Sequence, residues 1–425
     1  MTVALAVFVA LLFLGAPIAL VMVLSGAAGA MTLGGLDYLS IIADRMFSGV
    51  SPYVLMSIPY FIFTAELMNH AGLTERLIAF NNALLGRVRG ALSHVNITVS
   101  VFFAGLTGAA ITDTVAVGKI LIPAMKKQGY TAEYSAAITA CSSIIGPIIP
   151  PSIVMVVYAT LLRDVSVLDL FVAGVLPGLL MAGALLAVSF YLAWRRRYPI
   201  HGKTDARTAF RAFLISLPAL FVPVIILGGI LSGATTITEA SAFAAVYTVA
   251  IGFLVYRSLT FAKLLQSLVT TVRFSGVVFF LLAASTVLGW FVTRSGIARD
   301  AAAYITLVSE EAWVQILLVD LLLLALGTVL DVLPALVVVA PVLVPAMVTL
   351  GFDPLHIAMV MIVTLNVANI TPPVGMTLMT AAQIAKVPYE RAIVASLPFY
   401  VAMIFVVVFI SLMPEFVLWL PNLIK

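Results

Sequence analysis

A single cysteine, Cys141, in 425 residues rules out an internal disulfide and any cysteine-based metal cluster. It reads as an inert small side chain within a helix. Charge is almost as scarce, at 9% of residues, and no polar block is large enough to form a soluble domain, so any soluble partner is a separate chain. The histidines His70, His94, His201 and His356 are far apart and near loops, which argues against a shared metal site. No HExxH, P-loop or GxSxG pattern occurs, so the common signatures of hydrolytic and nucleotide-dependent enzymes are missing. A formal charge of +4 could suggest nucleic acid, but the basic residues are scattered between apolar runs instead of forming a patch. No nucleic-acid partner is expected.

What the chain has instead is hydrocarbon. Hydrophobic residues make up 63% and the mean hydropathy is +1.20, so the lipid bilayer is the expected solvent. Spans are readable at Val3–Leu24, Pro52–Met68, Ile138–Leu162, Leu168–Trp194, Leu214–Leu231, Ala240–Tyr256, Ser275–Val292, Leu355–Ile384 and Ala392–Leu412, with a weaker segment at Ser25–Leu36. The first of these lacks a basic leader and a cleavage site, and reads as a retained span. Trp194, Trp313 and Trp419 lie near span ends, as aromatic belts require.

One pattern returns. Ile122-Pro123-Ala124-Met125 reappears as Val344-Pro345-Ala346-Met347, Gly129-Tyr130 as Gly351-Phe352, and Pro150-Pro151 as Pro372-Pro373. Positions 123 and 345, 129 and 351, 150 and 372 share an offset of 222, which points to an internal duplication. Each double proline interrupts an apolar stretch and frees backbone groups that hydrocarbon cannot satisfy. Such breaks persist only where they are buried or line a cavity. Matched breaks in two halves are the sequence sign of a secondary transporter's binding site.

Two further segments, Asn96–Met125 and Trp313–Met347, are apolar at both ends with a small, polar or proline-containing middle, and read as re-entrant helical hairpins. Their tips are predicted at Gly105–Ala110 and Gly327–Asp331. The predicted organisation is a first repeat over 1–194, with scaffold helices over 1–70, a hairpin over about 94–126 and a broken helix over about 132–162. A basic loop over 195–211 follows. The second repeat, 212–425, holds a hairpin over about 312–348 and a broken helix over about 355–385. Arg76, Arg87, Arg89, Lys126 and Lys127 flank the first hairpin, and Arg195-Arg196-Arg197 open the central loop, so these are expected to be cytoplasmic. No lysine or arginine lies close to the base of the second hairpin. Five spans separate the two, an odd number, so the second copy is expected to be inverted.

Each break supplies carbonyls at the end of one half-helix and free amides at the start of the next, suited to a cation and an anion respectively. Sodium takes about five or six oxygens, and the hydroxyls of Thr107, Ser142, Ser143, Thr364 and Thr371 with nearby carbonyls can supply them. The first expected sodium site comprises Gly105, Thr107, Gly108, Ser142, Ser143, Gly146 and Pro150. The second comprises Gly327, Thr328, Asp331, Thr364, Asn366, Asn369 and Thr371. Among the few intramembrane charges, Asp113 and Asp331 beside the tips are assigned to function. Glu66 and Asp320, near segment ends, are assigned to structural pairing or snorkelling, and Lys119 to neither.

The stretch Phe103–Gly118, with Ile122–Met125, Ser142–Ser152 and Ile370–Gly375, resembles the large membrane subunit of tripartite ATP-independent periplasmic (TRAP) transporters over nearly the whole chain. The resemblance implies an all-α, inverted-repeat elevator in a bacterial inner membrane, a sodium-coupled importer of organic acids such as sialic acid or C4-dicarboxylates. Sodium is then the coupling ion, with no other cofactor. It also implies two partners, a small four-helix membrane subunit and a periplasmic substrate-binding protein. Substrate is placed between the sodium sites, at Ala109, Asp113, Pro151, Ser152, Pro372, Pro373 and Gly375. Family members often carry Ser-Gly-Ser at the first tip, where this chain has Thr107-Gly108-Ala109 and so lacks one hydroxyl. Three other readings stay open: a stand-alone sodium/anion symporter, the permease of an ATP-driven importer, and an intramembrane enzyme using Asp113 and Asp331.

Overall fold

In a chain this apolar the backbone must satisfy its own N–H and C=O groups, and among the described residues all regular structure is helical. The computed structural model describes residues 2–424 except 36, 37, 39, 87, 108, 163 and 199–205, and describes no side chains for 2, 104–107, 206 and 208. Six helices are long and apolar enough to cross a bilayer, and a pair bent by 60°, Ser40–Val50 with Tyr53–His70, makes a seventh. Five of the nine predicted spans are single long helices, and Pro52–Met68 falls in the bent pair. The remaining three are interrupted.

One of those interruptions corrects the sequence reading. Val3–Leu24 is two helices, Thr2–Phe13 and Ile18–Gly34, packed against each other. Gly15 takes φ +72°, in the left-handed region, and Pro17, which has no N–H, stands at the start of the second helix. Another correction concerns the predicted span Ser275–Val292. Its helix runs over Phe261–Ser295, from Thr260, whose hydroxyl accepts the Lys263 N–H. At 1.5 Å per residue its 35 residues extend ~52 Å, well beyond a ~30 Å hydrocarbon layer. Small residues let Ile18–Gly34 approach it closely: a Cβ on Gly26 would lie 2.9 Å from Val287, and one on Gly29 2.5 Å from the Phe291 ring. In the central loop, helix resumes at Ala206, so 206–211 is helical.

The two hairpins are the pairs Ala91–Thr107 with Ala110–Lys127, and Ala312–Gly327 with Val332–Thr349. The broken helices are Ala132–Ser143 with Ile153–Leu162, and Pro354–Ala368 with Met376–Ala385. Both double prolines fall in the breaks, and both Pro-Pro bonds are cis. Thr131 caps the first broken helix by accepting the Tyr134 N–H; Asp353 caps the second, with Pro354 in its first turn.

Packing fixes how these elements run. Met376–Ala385 lies against Ala132–Ser143 and Ala110–Lys127, while Ile153–Leu162 lies against Val332–Thr349. Lys126 at the base of the first hairpin donates to the Ala385 carbonyl, 3.1 Å away, at the far end of the second broken helix. The base of the first hairpin therefore shares one end of the molecule with the end of the second broken helix. The base of the second hairpin shares the other end with the start of that helix, only Leu350–Asp353 away. Residues from both tips line one cavity.

Candidate transport site

Between the tips lies a cavity of about 180 Å³. Ala109–Thr112 from the first tip and Asp331–Leu333 from the second line it, with Pro147 and the first residues of Ile153–Leu162. The opposite wall comes from outside the hairpins: Ile62, Ala65 and Glu66 of Ser57–His70, and Phe274 and Val278 of Phe261–Ser295. Three helices thus begin at this cavity, at Ala110, Ile153 and Val332. Helix N-termini carry unsatisfied N–H groups and partial positive charge, so an anion is favoured there without a basic side chain. Asp331 already accepts the Val332 N–H at 2.8 Å. Ala109 has no side-chain oxygen and makes no side-chain cap to the helix it precedes.

At the second break the tip rests directly on the interruption. A Cβ on Gly327 would come 2.5 Å from that of Ala368. Gly375, at φ +49°, donates its N–H to the Thr328 carbonyl at 3.4 Å, and the Thr377 N–H reaches the Asn369 carbonyl at 3.2 Å. Asn369 Nδ2 donates to Asp331 Oδ1 at 2.9 Å, and Thr364 Oγ1 donates to Asp320 Oδ1 at 2.7 Å. Thr328 and Thr371 donate to the backbone carbonyls of Ala325 and Val367, which leaves their oxygens able to accept. The side-chain oxygens of Asn366, Asn369 and Thr377 are buried with no hydrogen-bond partner among the described residues. Buried acceptors of this kind, beside two carboxylates, fit a bare hard cation.

The first break is held differently. Ser142 Oγ donates to Asn96 Oδ1 at 2.9 Å, Asn96 Nδ2 donates to Thr139 Oγ1 at 2.7 Å, and Ser100 Oγ donates to Ser142 Oγ at 3.1 Å. Ser143 donates to the Thr139 carbonyl. Asp113 is fully buried, and Gly146 leaves room for it: a Cβ there would meet Asp113 Oδ2 at 2.2 Å. Ser152 sits inside the break, donating to the Pro147 carbonyl and accepting the Met155 N–H.

The predicted sodium ligands of the second site are thus gathered around one break. At the first, Ser142, Ser143 and Gly146 are gathered with Asp113, while Pro150 faces a separate apolar hollow beside Leu168 and Phe171. Gly108 lies outside the described residues, as does the side chain of Thr107, and of Gly105 only its place in the helix Ala91–Thr107 is described. Of the predicted substrate set, Ala109 lines the cavity; Asp113, Pro151, Ser152, Pro372, Pro373 and Gly375 surround the breaks behind it.

Asn96 gains a place that sequence reasoning did not give it, while Asp320 and Glu66, assigned to structural pairing, each have a structural partner. Asn96 and Asp320 tie hairpin arms to the two broken helices. Glu66, assigned to structural pairing, lines the cavity while its carboxylate lies 3.8 Å from His70 Nε2, one helical turn on. Its position four residues before a histidine was the only available signal. Lys119 is exposed, on a different face from Asp113.

Residues 5–416 match the family model described as "Tripartite ATP-independent periplasmic transporter, DctM component". The sialic acid TRAP transporter large permease protein SiaM of Vibrio cholerae is 35% identical over 413 residues, covering 97% of this chain and 96% of that protein. The C4-dicarboxylate TRAP transporter large permease protein DctM of Pseudomonas aeruginosa is 33% identical over 399 residues, with 93% of each covered. Among solved structures, the YdaH transporter of Alcanivorax borkumensis superposes with a TM-score of 0.65 at 16% identity, over 90% of this chain and 89% of that one, a likeness of fold alone.

Proposed function

The chain belongs to the DctM family of tripartite ATP-independent periplasmic transporters, and from its site we propose that it is the sodium-coupled transport subunit of an organic-acid importer. The family makes it a transporter and not an enzyme, a multi-pass protein of the bacterial inner membrane. One observation carries the finer reading: two hairpin tips and the start of a half-helix enclose one cavity that is rich in helix N-termini and flanked by buried oxygen clusters at two breaks. An anion suits the cavity, and cations suit the breaks.

In this reading the hairpins are re-entrant, the first from the cytoplasm and the second from outside, and the halves of the chain are inverted repeats. Sodium at the second break is held by Asp331, Asn366, Asn369, Thr364 and Thr371, with carbonyls of the tip around Thr328. Sodium at the first is held among Ser142, Ser143 and carbonyls near Gly146. Sodium bound at the second break draws Asp331 and Asn369 into one shell and fixes the tip, which completes the cavity wall. Anion and sodium then bind cooperatively, and the coupling is reciprocal.

The hairpins and broken helices pack on one another and move as one elevator body against Ser57–His70 and Phe261–Ser295. A small membrane subunit braces that scaffold, and a periplasmic binding protein delivers the acid. Sodium titration of uptake by the reconstituted complex tests this. Asp331→Ala is expected to weaken the sodium dependence, and an unchanged titration contradicts the assignment. Uptake by the chain without a binding protein would support a stand-alone symporter instead.

A further inference from the structure

A second cavity, of about 890 Å³, lies along the same three helices as the one between the tips. The central cavity meets them at Ile153 and Val154, at Phe274 and Val278, and at Val332 and Leu333. The larger one meets them at Thr160–Leu162, from Leu282 to Arg294, and at Pro341 and Pro345. At 1.5 Å per residue it begins roughly 6–12 Å further along each helix, toward the base of the second hairpin. In the transport reading that is the outer side.

Its lining is also different in kind. Arg45 and Arg294 face into it against one described carboxylate, Asp164, together with the hydroxyls of Ser48, Thr286 and Thr293 and the ring of Trp290. Both arginines belong to the fixed helices, Arg45 to Ser40–Val50 and Arg294 to the last turn of Phe261–Ser295, whereas Asp164 follows Ile153–Leu162 of the moving body. The backbone of Arg45 is pinned: its carbonyl accepts from Thr286 Oγ1 at 2.7 Å and from Ser48 Oγ at 2.9 Å. Gly49 lets the two helices close, since a Cβ there would lie 2.7 Å from the Thr286 methyl. Both arginine side chains are exposed, and among the described residues neither has an ion pair. A basic residue in a last turn offsets the helix dipole, which accounts for Arg294 alone. Arg45 stands in the middle of its helix, and only the cavity brings the two together.

We propose, building on the transport reading, that this chamber is a second, outer carboxylate site carried by the fixed helices. A guanidinium grips a carboxylate through two parallel N–H donors, and the volume lies within the ~300–1,000 Å³ of small-molecule sites. Asp164, on the moving body, opposes the bound charge and keeps the site weak. Binding here needs no sodium, because none of the described residues assigned to either break lines the chamber.

Thiol modification of the purified full chain tests this. Thr293→Cys is placed in a Cys141→Ala background, and its rate with sulfonatoethyl methanethiosulfonate is divided by its rate with the trimethylammonioethyl reagent. At low ionic strength Arg45→Gln with Arg294→Gln should lower that ratio about fivefold or more, and Asp164→Asn should raise it about twofold. A ratio that the arginine changes leave in place overturns the proposal, and the rise in Asp164→Asn shows that the readout responds in a folded chain. Succinate and N-acetylneuraminate are then added at matched ionic strength, with sodium or choline as the counterion. At least one is expected to protect the thiol equally with either counterion, at a half-protecting concentration about tenfold higher in the arginine variants. Protection that requires sodium places the acid at the transport site, overturning the outer site and leaving the transport reading standing. Protection by neither acid, equal protection by sulfate, or protection by added phosphatidylglycerol alone, as for a lipid headgroup site, also overturns it.

Discussion

At the first break Ser142 is held by Asn96, a neutral amide, whereas Thr364, at the position 222 residues on, is held by Asp320, a carboxylate. The plan is duplicated and the chemistry has diverged. Around the first break, Asn96, Ser100, Thr139, Ser142 and Ser143 bond mainly to one another and to nearby backbone. Around the second, amide oxygens of Asn366 and Asn369 have no donor among the described residues and lie beside two acidic side chains. Packing differs in the same way: Gly146 yields space to the Asp113 carboxylate, while its counterpart Ala368 fills space that Gly327 vacates. A repeated backbone break thus fixes where an ion can sit, and the side chains on it decide how much of the ion's charge the protein itself balances. The second site is expected to bind its cation more tightly.

Substitutions break or sharpen that contrast, and the largest effect is expected at Asp331. Asp331→Asn removes a charge that contacts both the tip and the broken helix, and should weaken sodium activation of uptake by about 2–3 kcal/mol, roughly thirty- to a hundred-and-fiftyfold. An equal loss from Ser142→Ala would erase the proposed difference between the sites. Next comes close packing: Gly146→Ala forces its new methyl into Asp113 and should cost about 1–3 kcal/mol in stability, read as a lower melting temperature of the purified protein. Asn96→Ala strips the first network of its central amide, for about 1–2 kcal/mol of stability and a smaller change in sodium dependence than Asp320→Asn. Smallest is Lys126→Met, which loses one bond to the Ala385 carbonyl and about 0.5–1 kcal/mol. Uptake should fall only slightly.

Much of this plan was legible because prolines and glycines announce backbone geometry locally. Pro150-Pro151 and Pro372-Pro373 marked both breaks, and the paired tips fell where Gly105 and Gly327 suggested. Gly15 and Pro17 carried the same kind of signal, yet the surrounding leucines and valines made Val3–Leu24 read as one span. Side-chain partnerships were less legible. Asn96 with Ser142 and Asp320 with Thr364 are contacts across 46 and 44 residues, and a lone polar residue in an apolar run does not reveal what faces it. Glu66 has the structural partner assigned to it, His70 at 3.8 Å, and only the folded chain shows that it also lines the cavity. Short amphipathic helices such as Leu73–Leu85 and Ile297–Val308, of 13 and 12 residues, escaped because they are too short to read as spans.

The central claim is that the two hairpins approach a shared cavity from opposite faces of the membrane. Single cysteines at Lys127 and Asp353, placed in a Cys141→Ala background and probed with a membrane-impermeant maleimide on intact spheroplasts, test it most directly. Labelling at 353 and protection at 127 until the membrane is opened is the predicted outcome; both positions labelled from one side, or both protected, would contradict the account.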